Sequence, residues 1–258
     1  MTFNIMNTDI LDGFKTLEDE SVDLIVTSPP YNVSIKYDSW NDTMSKDDYF
    51  DWVGQWLQEC YRVLKEDGRI AINIPFEVNM KQCNERVFIS SEYWQIMKTM
   101  FHFFGMIRLD EVAAQRQLTS WGSWLSPSFP YIHNAEECVI LAYKNSPKKL
   151  RKGETDMTKE EFIEYVSGEW KYRAETHGLT MANFSLDIPM KAIKLLSWVG
   201  DTVLDPFNGS GTTGVAAVQS NRNYIGFEIS PKYHAIAVDR VQHEVDKGNC
   251  ALTDMFGG

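Results

Sequence analysis

Apolar residues follow two periods along this chain. Short apolar runs that stop abruptly at turn residues predict strands at Asn4–Met6, Val22–Thr27, Arg69–Ile74, Met106–Ala113, Glu137–Tyr143 and Val203–Asp205, and from Asn223 to Glu228. Between them, apolar positions recur every three or four residues. That spacing predicts helices from about Ile10 through Leu17, over Ser45–Leu64 with Asp67-Gly68 as the stop, and over Glu92–Phe104 capped by Gly105. Further helices are predicted in the acidic stretch after Lys152, from Pro189 through Trp198, from about Thr212, and over Lys232–Val245 with a loose tail beyond. Strands alternating with helices predict an α/β fold, a doubly wound and mostly parallel sheet.

Two strand ends carry chemistry. Val203-Leu204-Asp205 runs into Pro206-Phe207-Asn208-Gly209-Ser210-Gly211-Thr212-Thr213-Gly214. A strand, a glycine turn and a helix amino terminus make a ligand site in such sheets, because glycine lets a ligand approach the backbone and the helix offers unpaired N–H groups. A phosphate-binding P-loop is excluded, since no Lys follows Gly214. The G-x-G-x-x-G spacing of a dinucleotide site is present, but it also suits a tight turn without ligand.

The second strand end, Thr27, opens into Ser28-Pro29-Pro30-Tyr31-Asn32. Prolines cannot donate ladder hydrogen bonds, so a proline turn after a strand is one reading. The other uses all five residues. The Pro29 carbonyl and the Ser28 hydroxyl accept hydrogens from an exocyclic amine, and Tyr31 stacks on the base that bears it.

Elsewhere the signals are double. Tyr37 and Trp40, within 35–43, either touch a ligand or decorate an ordinary loop. The stripe Tyr49, Val53, Trp56, Leu57, Tyr61 is read as core. The loop from Leu118 to Tyr131, with Trp121, Ser123 and Trp124, either packs the sheet edge or lines a pocket. Lys144, Lys148, Lys149, Arg151 and Lys152 form the strongest basic cluster, either solvated surface or a phosphate contact.

Bulk properties narrow the class. A chain of 258 residues fits one domain from 1 to 258, with an insertion at 146–182. No apolar run approaches the roughly 18 residues of a membrane span, and the first twelve residues lack a basic signal-peptide region. Four scattered cysteines suit reduced cytoplasmic thiols better than disulfides or a metal site, so no metal is expected. A net charge of −11 argues against a strong non-specific hold on a polyanion, and makes a dimer or a partner more plausible.

Taken together, Asp205-Pro-Phe-x-Gly-Ser-Gly-Thr-Thr and Ser28-Pro-Pro-Tyr resemble the DNA amino-methyltransferases. The order, with Pro-Pro-Tyr first, resembles their permuted β group. The resemblance implies a Rossmann-like fold, S-adenosylmethionine as cofactor, double-stranded DNA as substrate and cytoplasmic location. It implies a homodimer, with a companion restriction endonuclease in some systems. It assigns catalysis to Ser28, Pro29, Pro30 and Tyr31. Cofactor contacts fall on Asp9, Phe184, Glu228 and each residue from Asp205 to Thr213. Asn32, the 118–131 loop and the 146–182 segment fall where the family recognises its target. Ser185 stands where the family has a proline, and the His-Pro upstream is missing, which weakens the tie of Phe184 to the cofactor tail. A Ser before Pro-Pro resembles the cytosine-N4 enzymes more than the adenine-N6 enzymes, which mostly carry Asp or Asn. Action on RNA or protein amide nitrogen, or a module that binds without turnover, are the alternatives.

Overall fold

The computed structural model describes residues 1–35, 42–111, 122–132, 136–172 and 185–256. In chain order the elements are β1 (Phe3–Asn7), α1 (Ile10–Phe14), β2 (Val22–Thr27), α2 (Lys46–Val63), β3 (Leu64–Pro75), β4 (Val78–Met80), β5 (Glu85–Val87), α3 (Ile89–Met97) and β6 (His102–Glu111). There follow β7 (Glu137–Tyr143), α4 (Lys159–Tyr165), β8 (Glu169–Tyr172), α5 (Asp187–Leu196), β9 (Thr202–Asp205), α6 (Thr212–Gln219), β10 (Asn223–Glu228) and α7 (Pro231–Phe256).

Among the described residues, one eight-stranded sheet has the order β1-β10-β9-β2-β3-β7-β6-β8. All of its strands run the same way except β7, which is antiparallel to β3 and β6. Alternation along β2 builds both faces. Ile25 points to one layer with Phe14, Val53, Trp56, Leu57, Tyr93 and Phe227, under α1, α2 and α3. Leu24 and Val26 point to the other, with Ile193, Val215, Ala216, Ala237 and Val241 of α5, α6 and α7. All six residues of β2 are buried, as a central parallel strand covered on both faces requires. The doubly wound α/β expectation holds.

Several boundaries move. The helix expected to reach Phe104 ends at Met97, and strand β6 begins at His102. Phe103 pairs with Ala142 and Gly105 with Leu141, so Gly105 sits at a bulge rather than a helix cap. Apolar residues at 101, 103 and 104 satisfy a helical spacing, but only Phe101 is buried. The strand expected from Arg69 begins at Leu64, and Asp67-Gly68 lies inside it. Strand β8 is an element that the apolar periodicity does not show. It is short, and Trp170, buried on the edge of β6, anchors it by donating to the Tyr165 carbonyl at 2.9 Å. Helix α7 continues to Phe256. Among the described residues no helix is long and apolar enough to cross a membrane.

Candidate active site

Strands β2 and β9 are neighbours, and from this pair the chain winds outward in both directions. Such a reversal opens a crevice at the carboxyl ends of the strands. The two motifs meet there. Thr27 Oγ1, at the end of β2, donates to Asp205 Oδ1, at the end of β9, at 2.7 Å across 178 residues of chain.

Asp205 organises the glycine turn from beneath. Its other oxygen accepts from Thr213 Oγ1 at 2.7 Å, and Oδ1 also accepts from the Phe207 N–H at 3.0 Å. The side chain is 3% exposed, and burial pushes its carboxyl up to about 6 despite these donors. Above it the turn is held open. Tyr224 donates to Asn208 Oδ1 at 2.6 Å, and the Asn208 N–H reaches the Phe227 carbonyl at 3.0 Å. Gly211, at φ +83°, starts α6, and a Cβ there would lie 3.0 Å from that of Ala237. At Gly209, φ +50°, a Cβ would meet nothing closer than 3.9 Å, so open space lies over its backbone. Arg240 clamps the turn from α7, donating to the Ser210 carbonyl at 2.7 Å and to Ser210 Oγ at 2.8 Å.

Two carboxylates stand at the neighbouring strand ends. Glu228 ends β10 beside the turn, and β10 pairs with both β9 and β1. Burial pushes its carboxyl up to about 7, opposed by the backbone N–H groups of Ser230 and Gly209. Asp9 follows β1 and caps α1, accepting from the Leu11 N–H at 2.9 Å. Its cap role and a ligand role are compatible, because a carboxylate has acceptor sites to spare.

On the β2 side, Ser28 Oγ and Tyr31 OH are 2.7 Å apart, and Tyr31 OH donates to the Asn73 carbonyl at 3.3 Å. The Pro30 carbonyl accepts from Tyr49 OH at 2.8 Å, which in turn bonds Tyr93 OH. Among the described residues the buried Pro29 carbonyl accepts from none, which leaves it as an acceptor for a substrate N–H. Asn32, at φ +57°, is not open to a ligand. It is 1% exposed, donates its N–H to Asp42 Oδ1 at 2.8 Å, and exchanges side-chain bonds with Met44. Its role is to shape the turn after Pro-Pro-Tyr. Asp42 gathers the Asn32, Val33 and Ile35 N–H groups, and burial raises its carboxyl above the usual range.

The rim continues from this turn. Gln82, between β4 and β5, donates to Ser34 Oγ at 3.2 Å and the Asp42 carbonyl at 3.0 Å. Arg86 of β5 lies over the Tyr131 ring at 5.0 Å, which carries the loop 122–132. Ser123 closes this loop on itself, bonding the Ser126 carbonyl and the Phe129 N–H at 2.8 Å each, while Trp124 is 65% exposed. Trp121 and Phe184 lie outside the described residues, as do Tyr37 and Trp40.

The basic cluster is not brought to the site. Lys149 Nζ reaches the Asp23 carbonyl at 3.4 Å, Arg151 pairs with Asp201, and the Leu150 N–H bonds Asp67. Lys148 and Lys152 are exposed in the same stretch. Asp23 and Asp201 stand at the amino ends of β2 and β9. That edge is about 13 Å from Thr27 at the rise of a strand. Burial lowers Lys149 to about 8, as expected for a lysine serving the fold. Lys149 and Arg151 neutralise aspartates that would otherwise crowd one sheet edge, and the expected phosphate contact has no support in their placement.

Sequence reasoning gave no contact to Thr27, Asn73, Tyr49 or Arg240. Thr27 and Asn73 end their strands, and strand ends in this architecture were the available signal. Tyr49 was absorbed into an apolar stripe, and Arg240 into an ordinary helix.

A buried Asp joining two strand ends, an open glycine turn and a serine-proline-proline-tyrosine turn beside it define an α/β group-transfer enzyme of the methyltransferase fold. Comparisons with known proteins agree. A family model described as DNA methylase, of the N6/N4 type, matches residues 22–239. The type II methyltransferase M.MjaVI of Methanocaldococcus jannaschii is 42% identical over 176 residues, covering 67% of this chain and 86% of that protein. The DNA adenine methyltransferase YhdJ of Escherichia coli is 29% identical over 251 residues, covering 92% and 82%. The structure of TTHA0409 from Thermus thermophilus complexed with S-adenosyl-L-methionine superposes with a TM-score of 0.75, at 22% identity and 95% coverage of both chains. The chain belongs to the N6/N4 DNA methylase family.

Proposed function

We propose that the chain transfers a methyl group from S-adenosylmethionine to the exocyclic amino group of a base flipped out of double-stranded DNA, cytosine N4 being the preferred target. The observation that carries this reading is the Thr27–Asp205 hydrogen bond, which puts a donor loop and an amine-accepting turn side by side. The residues fit the cofactor. Open space over Gly209 suits close backbone approach. Glu228 provides an acceptor for ribose hydroxyls, and Asp9 one for an adenine amine. Phe184 is assigned to the methionine end on resemblance alone. When bound, the cofactor supplies an electrophilic methyl group on a sulfonium.

The chain's own residues prepare the nucleophile. An exocyclic amine is weakly nucleophilic because its lone pair is delocalised into the ring. Accepting its hydrogens at Ser28 Oγ and the Pro29 carbonyl favours a tetrahedral nitrogen and localises that pair. Alignment of the amine then supplies much of the acceleration. Flipping the base costs a few kcal/mol, and stacking on Tyr31 offsets it by about 1–3 kcal/mol. The exposed rim around Trp124, together with the 146–182 segment, is proposed to recognise the target. The chain order, with the Pro-Pro-Tyr strand before the glycine loop, supports an assignment to the β group. Its acidity favours a homodimer, and its likeness to a type II methyltransferase favours cytoplasmic DNA and a companion endonuclease.

Nucleoside mass spectrometry after incubation of duplex DNA with labelled S-adenosylmethionine tests the reaction. N4-methylcytosine is expected. N6-methyladenine, in keeping with the name of the YhdJ relative, would replace the base assignment, and label on no DNA would defeat the reading.

Glu228 makes cofactor affinity depend on pH. Hydroxyl donors favour the carboxylate, so binding expels the proton that burial retains up to about pH 7. The dissociation constant should be about tenfold weaker at pH 6 than at pH 8, and flat in Glu228→Gln. The same shift has the opposite effect on the free fold. Between the ordinary carboxyl value of 4.5 and about 7 the native state holds a proton that the unfolded chain has lost. The contribution of this group to stability therefore falls as pH rises through that window.

A further inference from the structure

Beside Ser28 lies a polar row with no part in the reaction as described so far. Asn73 stands one residue beyond the Thr27↔Ile72 pair of β2 and β3, and is 3% exposed. Its Nδ2 donates to Glu137 Oε2 at 2.8 Å and to Tyr31 OH at 3.4 Å. Its carbonyl accepts from Tyr31 OH, which stands 2.7 Å from Ser28 Oγ. The carboxylate of Glu137 fixes the orientation of the amide, because a flipped amide would set oxygen against oxygen. That orientation leaves Asn73 Oδ1 buried and without a partner, an unfavourable arrangement that a purely structural asparagine has no reason to keep.

A phenol oxygen carries one hydrogen and accepts up to two. When the Tyr31 hydroxyl donates to the Asn73 carbonyl, it meets Ser28 Oγ as an acceptor. The Ser28 hydroxyl hydrogen then points to Tyr31, and both Ser28 lone pairs remain for the substrate amine.

Building on the function proposed above, we propose that Asn73, held by Glu137, is a positioning residue that fixes the hydroxyl hydrogens of Tyr31 and Ser28 so that Ser28 acts as an acceptor toward the amino group. The test compares Tyr31→Phe, Asn73→Ala and the double variant in single-turnover methylation of duplex DNA, with melting temperature and S-adenosylmethionine affinity measured alongside. Each single change should slow methyl transfer about tenfold, with KM for DNA and cofactor affinity within twofold. The double variant should be no slower than the slower single one, because both changes break one chain of bonds.

Asn73→Asp adds a pH signature. Two adjacent carboxyls share a proton, and only the protonated Asp can donate to Tyr31. Its activity should therefore rise toward low pH relative to the unaltered enzyme. Losses that multiply in the double variant, or Tyr31→Phe within twofold of the unaltered protein, would overturn the proposal while leaving the methyltransferase reading intact. An unaltered protein inactive on every duplex tested would overturn both.

Discussion

Asp205→Ala is expected to bring S-adenosylmethionine binding below detection by calorimetry and to lower the melting temperature. The carboxylate accepts from Thr27, Thr213 and the Phe207 N–H, all within the buried base of the glycine turn. Alanine leaves these donors without an acceptor where water does not reach, at about 1–3 kcal/mol each. The strand ends separate and the turn loses its shape, so the cofactor meets a collapsed cradle. Asp205→Asn is the informative companion. Its Oδ1 still accepts from Thr27, and the Thr213 hydroxyl can rotate to accept from the new amide. A loss of about 1–2 kcal/mol, with weakened but measurable binding, is expected there. Unchanged cofactor affinity in Asp205→Ala would contradict the placement of the donor over this turn.

Tyr31→Ala should have the opposite signature. The rate of methyl transfer is expected to fall at least a hundredfold while S-adenosylmethionine affinity stays within threefold. Ring removal forfeits stacking of about 1–3 kcal/mol on the flipped base, and it also frees the Ser28 hydroxyl that Tyr31 OH engages. Tyr31 bonds Ser28 and Asn73, on the β2–β3 side of the crevice, whereas Asp205 and Arg240 hold the glycine turn, so the cofactor site should survive. Equal losses in binding and rate would point to a collapsed turn. Calorimetry beside single-turnover kinetics separates the two. The contrast between Asp205 and Tyr31 follows from geometry: one residue supports the donor loop from below, and the other bounds the acceptor space from the side.

Most strands were legible because a buried parallel strand is a short, mainly apolar run bounded by turn residues, as Leu24–Val26 within Val22–Thr27. Both motifs were legible because each is a backbone necessity: prolines that end a strand, and glycines that open a turn. The α3–β6 boundary was not, because Phe101, Phe103 and Phe104 fit a helical spacing as readily as a strand with a bulge. The basic stretch at 144–152 misled for a different reason. Charge density along a chain does not say which edge of a sheet it crosses, and here the aspartates at the amino ends of β2 and β9 claim it.

By itself, the sequence determined the alternation of strands and helices, the glycine turn, the proline turn and thereby the family. Those features depend on residues close in the chain, whose conformations local sterics dictate. Only the tertiary structure decided that Thr27 grips Asp205, that Asn73 and Glu137 stand behind Ser28 and Tyr31, and that Lys149 and Arg151 serve the aspartates at the amino ends of β2 and β9. Such pairings join residues far apart in the chain, and a hydrogen bond between distant strand ends exists only once the sheet sets their order and register.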